Sequence, residues 1–279
     1  MVRVPASSAN LGPGYDVLAA ALAVHLELEV EETGEFAVES EPDELPLDRS
    51  NLCVRAFEAL HPSDGVTFRV RSEIPLAAGL GSSAAAIVAG LVAADHMYEL
   101  DADILPRAAE LEGHPDNVAA ALRGGFVICA EDGAERFDPP PELEGVLAIP
   151  PHRVSTCEAR AALPAEVPVP DAVHNVASAS LLVLGLARAD FDLVARGLSD
   201  RIHQQRRAHL YPRSLELLGR ARELGALGAT ISGAGPAVLF WSHFEQTGGL
   251  HDALRAQAPD CVVRRVQFDP SGADVRALA

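Results

Sequence analysis

Residues 75–84 read PLAAGLGSSA and run directly into the alanine-rich stretch AAIVAGLVAADHMYEL. The first amide N–H groups of a helix have no intrahelical partner and the helix dipole is positive there, so a glycine turn opening onto a helix is a place to hold an anion. GLGSSA satisfies the G-x-G-x-x-G/A dinucleotide fingerprint, which makes a nicotinamide or flavin site the first reading to test. That fold needs a parallel strand soon after the helix, ending in an acid about 20 residues past the glycines. Here Asp95 and Glu99 fall within or at the end of the helix, and the next convincing strand waits until Gly125. The dinucleotide reading is therefore disfavoured and a phosphate cradle preferred. Gly79 and Gly81 allow close backbone approach, and Ser82 and Ser83 offer hydroxyls to a phosphate oxygen or a metal. A serine at a helix start is also a common N-cap, but a cap explains one serine and not the whole turn.

Composition removes several mechanisms. None of the 279 residues is lysine, so all 22 basic residues are arginine. A Walker A loop, a protein kinase and a pyridoxal-phosphate enzyme each need a lysine and cannot operate here. A formal net charge of -18 argues against a nucleic-acid partner. Cys53, Cys129, Cys157 and Cys261 form no C-x-x-C pair, so no zinc knuckle or redox motif is written. The N-terminus lacks an apolar signal core and no run approaches the roughly 18 apolar residues of a membrane span, so a cytoplasmic enzyme with no membrane partner is expected.

Alternation over 24–32 and 66–74 predicts strands, and 50–60, 84–100 and 101–112 predict helices, the second apolar nearly all round and hence buried. RGGFVICAE reads as a strand. A proline-rich, acidic stretch at 131–145 separates this half from a strand beginning at VLAIP, which places a domain divide between 1–144 and 145–279. The second half is helix-rich over 156–224, then gives GATISGAGPAVLFW, a helix and a last strand CVVRRVQFD. Antiparallel-looking strand pairs among helices make the class α+β.

RVPASSANLGPGYD at 3–16 reads as a small-residue loop after an N-terminal strand, and GATISGAGPA at 228–237 as another such loop. Together with PLAAGLGSSA, these stretches resemble the three ordered motifs of the GHMP small-molecule kinases over nearly the whole chain. Within that superfamily VPASSANLGPGYD, EGHPDNVAAALRGG, STCEARAALP and HQQRRAHLYP look like the homoserine kinases. The resemblance implies a two-domain fold, with an N-terminal ribosomal-protein-S5-like nucleotide domain and a C-terminal ferredoxin-like domain. It implies ATP-dependent phosphorylation of the side-chain hydroxyl of L-homoserine, a step of threonine biosynthesis, by an enzyme using ATP and Mg²⁺. A homodimer is the family expectation. The rival readings are a GHMP kinase for another small hydroxy acid or sugar, and a GHMP-fold binding protein without catalysis.

By the same resemblance Pro75, Leu76, Ala77, Ala78, Gly79, Leu80, Gly81, Ser82, Ser83 and Ala84 wrap the ATP phosphates, and Gly233 and Gly235 close on them. Ser83 and Glu112 hold Mg²⁺, a hydroxyl and a carboxylate that leave an octahedral ion room for phosphate oxygens and water. Asp16 takes the substrate ammonium, Arg160 and Arg207 its carboxylate, and Asn10 with Asn117 its hydroxyl end, with Thr156 and His114 nearby. HQQRR departs from the family order His, Gln, Pro, Tyr, Arg, which leaves Arg206 as the alternative to Arg207. Asn117 and Asp116 are the catalytic candidates. Asp116 is equally well placed to cap the helix that begins NVAAAL.

Overall fold

The computed structural model describes residues 1–41 and 43–276. The elements run β1 (Val2–Ala9), β2 (Leu18–Glu32), β3 (Ala37–Glu41), α1 (Leu52–Glu58), β4 (Val66–Ser72), α2 (Ser82–Tyr98), α3 (Ile104–Glu112), α4 (Asp116–Arg123), β5 (Phe126–Ala130) and β6 (Gly133–Phe137). They continue with β7 (Leu143–Ile149), α5 (Thr156–Ala161), α6 (Val169–Arg188), α7 (Phe191–Gly197), a 3-10 turn (Gln205–Leu210), α8 (Pro212–Gly219), β8 (Gly228–Ile231), β9 (Val238–His243), α9 (Phe244–Gln257), β10 (Val262–Gln267) and β11 (Asp274–Val275).

The first sheet is ordered β11-β1-β2-β4-β3, with β5 on the first residues of β2 and β6 on β5. Only the β3–β4 pair is parallel. β2 changes character along its length. Leu18 to Leu22 are buried throughout, whereas from Val24 apolar and polar residues alternate, as a strand with one wet face requires. Over the buried end, Ala119 and Ala120 of α4 meet Ala9 and Ala19, and side chains this small let helix and sheet approach closely. α2, apolar on every side, is buried from Ala84 to Leu91.

The second sheet is antiparallel, ordered β10-β7-β9-β8. Leu217 of α8 and Leu250 and Leu254 of α9 cover it, in one cluster with Val146 and Phe240. Trp241 of β9 reaches the other way and packs against Phe126 and Phe268, with ring centroids 6.0 and 5.4 Å apart, so the two sheets share a core.

Three local expectations change. Residues 3–9 are strand β1 and not loop, since small side chains suit a strand buried on both faces. The acidic stretch after 131 holds β6, whose polar residues lie at a sheet edge where burial does not pattern them. β7 starts at Leu143, so the divide expected between 144 and 145 falls inside a strand. The chain end also returns to the first sheet, through a Leu22–Phe268 bridge and the pairing of β11 with β1. α6 is long and apolar enough by length and composition to cross a bilayer, but Asp171, His174 and Asn175 interrupt it, so it is not an unbroken apolar run. One face of α6 is packed: Gly185 lies against the start of α7, where an added Cβ would sit 2.6 Å from the Val194 nitrogen.

Gly90 marks a comparable contact between α1 and α2. A Cβ there would stand 2.1 Å from the Cys53 carbonyl oxygen and 2.8 Å from the Ala56 Cβ. Alanine is the better helix former by about 1 kcal/mol, but overpacking against a backbone carbonyl costs about 1–3 kcal/mol or more. Gly90→Ala is therefore expected to lower the urea midpoint, and an unchanged or higher midpoint would show that α1 moves aside freely.

Candidate functional site

Three loops from distant parts of the chain meet above the N-terminus of α2. Gly79 has φ +80°, and a Cβ on it would lie 2.3 Å from the Ser232 carbonyl oxygen, so the glycine turn and the β8–β9 turn touch backbone to backbone. Hydrogen bonds fix that contact. The Ser232 hydroxyl donates to the Gly79 carbonyl (2.7 Å), the Ala237 N–H to the Ala78 carbonyl (3.0 Å) and the Gly233 N–H to the Ala9 carbonyl (3.1 Å). Asn10 completes the junction, donating to the Gly233 carbonyl (2.9 Å) and accepting from the Asp16 N–H (3.0 Å).

α2 begins on Gly81, in the left-handed region, with no side chain capping it. Neither Ser82 nor Ser83 serves as the cap, so the positive end of the helix opens into the cavity. Gly81 also has a steric reason to be glycine: a Cβ there would overlap the Ser7 hydroxyl at 2.0 Å and crowd Asn117 Oδ1 at 3.1 Å. Those two side chains are bonded, Ser7 Oγ donating to Asn117 Oδ1 at 2.8 Å.

The cavity holds about 210 Å³ and is lined by Asn10, Asp16, Pro75, every residue from Ala77 to Ser83, Glu112, His114, Asp116, Asn117, Thr156, Arg160, Arg207 and Gly233. Tyr15, Val154, Ala9 and Ala234 also line it. Three expected residues do not. Leu76 faces the adjoining cavity beside His152 and Arg153, Ala84 is buried in the helix core, and Gly235 stands behind the wall with its N–H on the Ser232 carbonyl. Leu76 interrupts the lining between Pro75 and Ala77 and Ala84 already lies inside α2, so the motif extends past the residues that face the cavity. Arg207, and not Arg206, faces the cavity; Arg206 points to Asp171 (3.3 Å).

Glu112 with Asp116 lies at one end of the site and the two arginines at the other. At one end the Ser83 hydroxyl donates to Glu112 Oε1 at 2.6 Å. Burial pushes the Glu112 carboxyl up, against the pull of that hydrogen bond and of His114. A hydroxyl and a carboxylate this close match one edge of an octahedral Mg²⁺ shell, whose ligands at about 2.0–2.1 Å from the ion stand about 2.9 Å apart, so the pair suits the ion. His114 Nδ1 lies 2.8 Å from Asp116 Oδ1, and that hydrogen bond raises the imidazole above its ordinary range. Asp116 is the first residue of α4, the cap position being Pro115, and its Oδ1 also accepts the Asn117 N–H at 2.7 Å.

At the other end Arg160 makes a two-pronged pair with Asp16, at 2.9 and 2.8 Å, and also donates to the Tyr15 hydroxyl. Arg207, only 2% exposed, donates from Nε to the Ala159 carbonyl (2.7 Å) and has no carboxylate partner among the described residues. Ser7 and His203 carry no assigned role in the sequence motifs: the partner of Ser7 lies 110 residues away, and although His203 meets Arg207 four residues on, its other partner, Gly12, lies 191 residues away.

Comparison with known proteins places the chain in a family. The family models for the GHMP kinases N terminal domain and the GHMP kinases C terminal match residues 51–125 and 182–260. The chain is 42% identical to the homoserine kinase of Deinococcus radiodurans over 91% of its own length and 88% of that protein. It is 40% identical to the homoserine kinase of Moorella thermoacetica, over 86% of each chain. The crystal structure of homoserine kinase from Cytophaga hutchinsonii superposes with a TM-score of 0.86 at 29% identity, covering 98% of this chain and 96% of the other. The chain therefore belongs to the GHMP kinases and, within them, to the homoserine kinase family.

Proposed function

We propose that the protein transfers the γ-phosphoryl group of ATP to the side-chain hydroxyl of L-homoserine, giving O-phospho-L-homoserine. The observation that carries the substrate end is Arg207. A buried guanidinium facing a cavity without a carboxylate partner is costly unless an anion arrives, and the carboxylate of an amino acid supplies one. Asp16, whose carboxylate has about four acceptor positions, keeps some of them for the ammonium while Arg160 occupies others. One acid beside two arginines is the arrangement an α-ammonium and α-carboxylate require.

The phosphates lie along the Pro75–Ser83 turn and over the start of α2, with Gly233 closing on them. Ser83 and Glu112 would hold Mg²⁺, which would neutralise charge on the transferring phosphoryl group. His114 and Thr156 border the space between the two ends. Because the Ser7 hydroxyl occupies Asn117 Oδ1, the Asn117 amide N–H groups are turned to the substrate hydroxyl, with Asn10 on the same side. Phosphoryl transfer through a loose transition state needs orientation of the nucleophile more than its prior deprotonation. Asn117 supplies that orientation, and Asp116 is the carboxylate in place to receive the proton. With no lysine in the chain, the positive field comes from helix α2, the metal and two arginines.

A coupled assay of ADP release with homoserine, 4-hydroxybutyrate, mevalonate and galactose tests this reading. Turnover of homoserine alone is expected; equal turnover of mevalonate or galactose would contradict it. Asp16→Asn is expected to erode the preference for homoserine over 4-hydroxybutyrate by about fivefold, a partly exposed charge contact being worth about 1 kcal/mol. Retention of the full preference would remove the ammonium from Asp16. Glu112→Gln should raise the Mg²⁺ concentration needed for half-maximal rate while leaving the thermal midpoint within a few degrees; an unchanged Mg²⁺ dependence would take Glu112 out of the metal site.

A further inference from the structure

We propose that His203 is a positioning residue for Arg207: its neutral ring sets both the direction of the guanidinium and its distance from the loop that carries Asp16. The inference rests on the homoserine reading above and concerns a side chain that does not itself line the cavity.

The imidazole is fully buried. Its Nε2 lies 2.8 Å from the Gly12 carbonyl oxygen and its Nδ1 lies 3.3 Å from Arg207 Nη1. These partners determine the proton's place. A carbonyl only accepts, so Nε2 carries the hydrogen; a guanidinium only donates, so Nδ1 presents its lone pair. A ring protonated on both nitrogens would set N–H against N–H and bury two adjacent cations. The surroundings agree. Burial lowers the imidazole below its ordinary range, and Arg207 adds to this, against the carboxylates of Asp200 and Asp16. Asp200, 3.9 Å from Nε2, is already engaged by the N–H groups of Ile202, His203 and Gln204 and by the Asn175 amide. Tyr15 lies beside the imidazole at 5.5 Å and under Arg207 at 5.3 Å, while Tyr211 donates to the neighbouring Gln204 carbonyl.

With Nε on the Ala159 carbonyl and one Nη1 hydrogen on His203, three of the five N–H groups of Arg207 remain for a carboxylate. The same imidazole holds Gly12, four residues before Asp16 in the loop that bears it. One ring thus couples the group for the negative end of the substrate to the loop for the positive end, which makes it a determinant of which charge separation the site accepts.

Two variants divide the ring's contacts. His203→Gln keeps a donor where Nε2 stood and removes the acceptor for Arg207, whereas His203→Asn keeps an acceptor near the Nδ1 position. His203→Gln is expected to raise the homoserine KM about tenfold or more, with ATP KM and kcat changed less than about threefold, and His203→Asn to recover most of the loss. Parallel changes in kcat, ATP KM and homoserine KM, or an unchanged homoserine KM in His203→Gln, would overturn the proposal. Should either variant fail to fold, ¹⁵N spectra of the histidine-labelled parent protein decide the arrangement: a neutral Nε2–H ring at His203 near neutral pH is expected, and the imidazolium or the Nδ1–H form would overturn it. A parent protein inactive on homoserine would overturn the functional reading itself, whereas an active parent whose His203→Gln variant keeps the parent's KM would overturn only the role of His203.

Discussion

The site exists because the β8–β9 turn is hydrogen-bonded to the glycine turn before α2. Ser232 on Gly79, Ala237 on Ala78 and Gly233 on Ala9 hold together segments that are 150 and more residues apart in the chain. The loops they join are not relaxed. Asn10, Leu11, Asp16 and Ala77 all have positive φ, a region that costs a side-chain-bearing residue about 1–3 kcal/mol. Such conformations persist only where their surroundings over-determine them, and here the Asn10 amide, bonded to Gly233 and to the Asp16 N–H, does so. The strain lies where Asp16 and the turn backbone must be presented to ligands.

Charge in the cavity contrasts with charge on the whole. A chain of net charge -18 places Arg160, Arg207 and the positive end of α2 around one small space, and confines Glu112 and Asp116 to the side where a divalent cation and a reacting hydroxyl are expected. Lysine-free chemistry is thereby possible, since backbone amides and planar guanidiniums meet phosphate and carboxylate oxygens with fixed geometry. Support from behind the cavity matters as much: Ser7 holds Asn117, and His203 with Ala159 holds Arg207.

Much of this was legible in the linear sequence, for definite reasons. α2 is apolar on all sides, β4 alternates, and the β8–β9 hairpin has its glycines between two apolar runs, so each element announces itself within a short window. The motifs likewise placed most cavity residues, because each loop is continuous. What escaped depends on partners distant in sequence. β1 looked like loop because its serines and alanines gain meaning only from β2 and α4, and β6 and β11 are short edge strands with little buried surface. The orientation of Leu76 and Gly235 away from the cavity is set by turn geometry, that of Ala84 by its place inside α2, and the pairing of Arg160 with Asp16 by the approach of α5 to the N-terminal loop.

The most direct test is the crystal structure of the protein with L-homoserine and a non-hydrolysable ATP analogue. The account predicts the substrate carboxylate on Arg207, the ammonium on Asp16 and the hydroxyl facing the Asn117 amide, in line with a γ-phosphoryl group above the start of α2. A substrate bound with its carboxylate away from Arg207, or with its hydroxyl turned from Asn117, would contradict it.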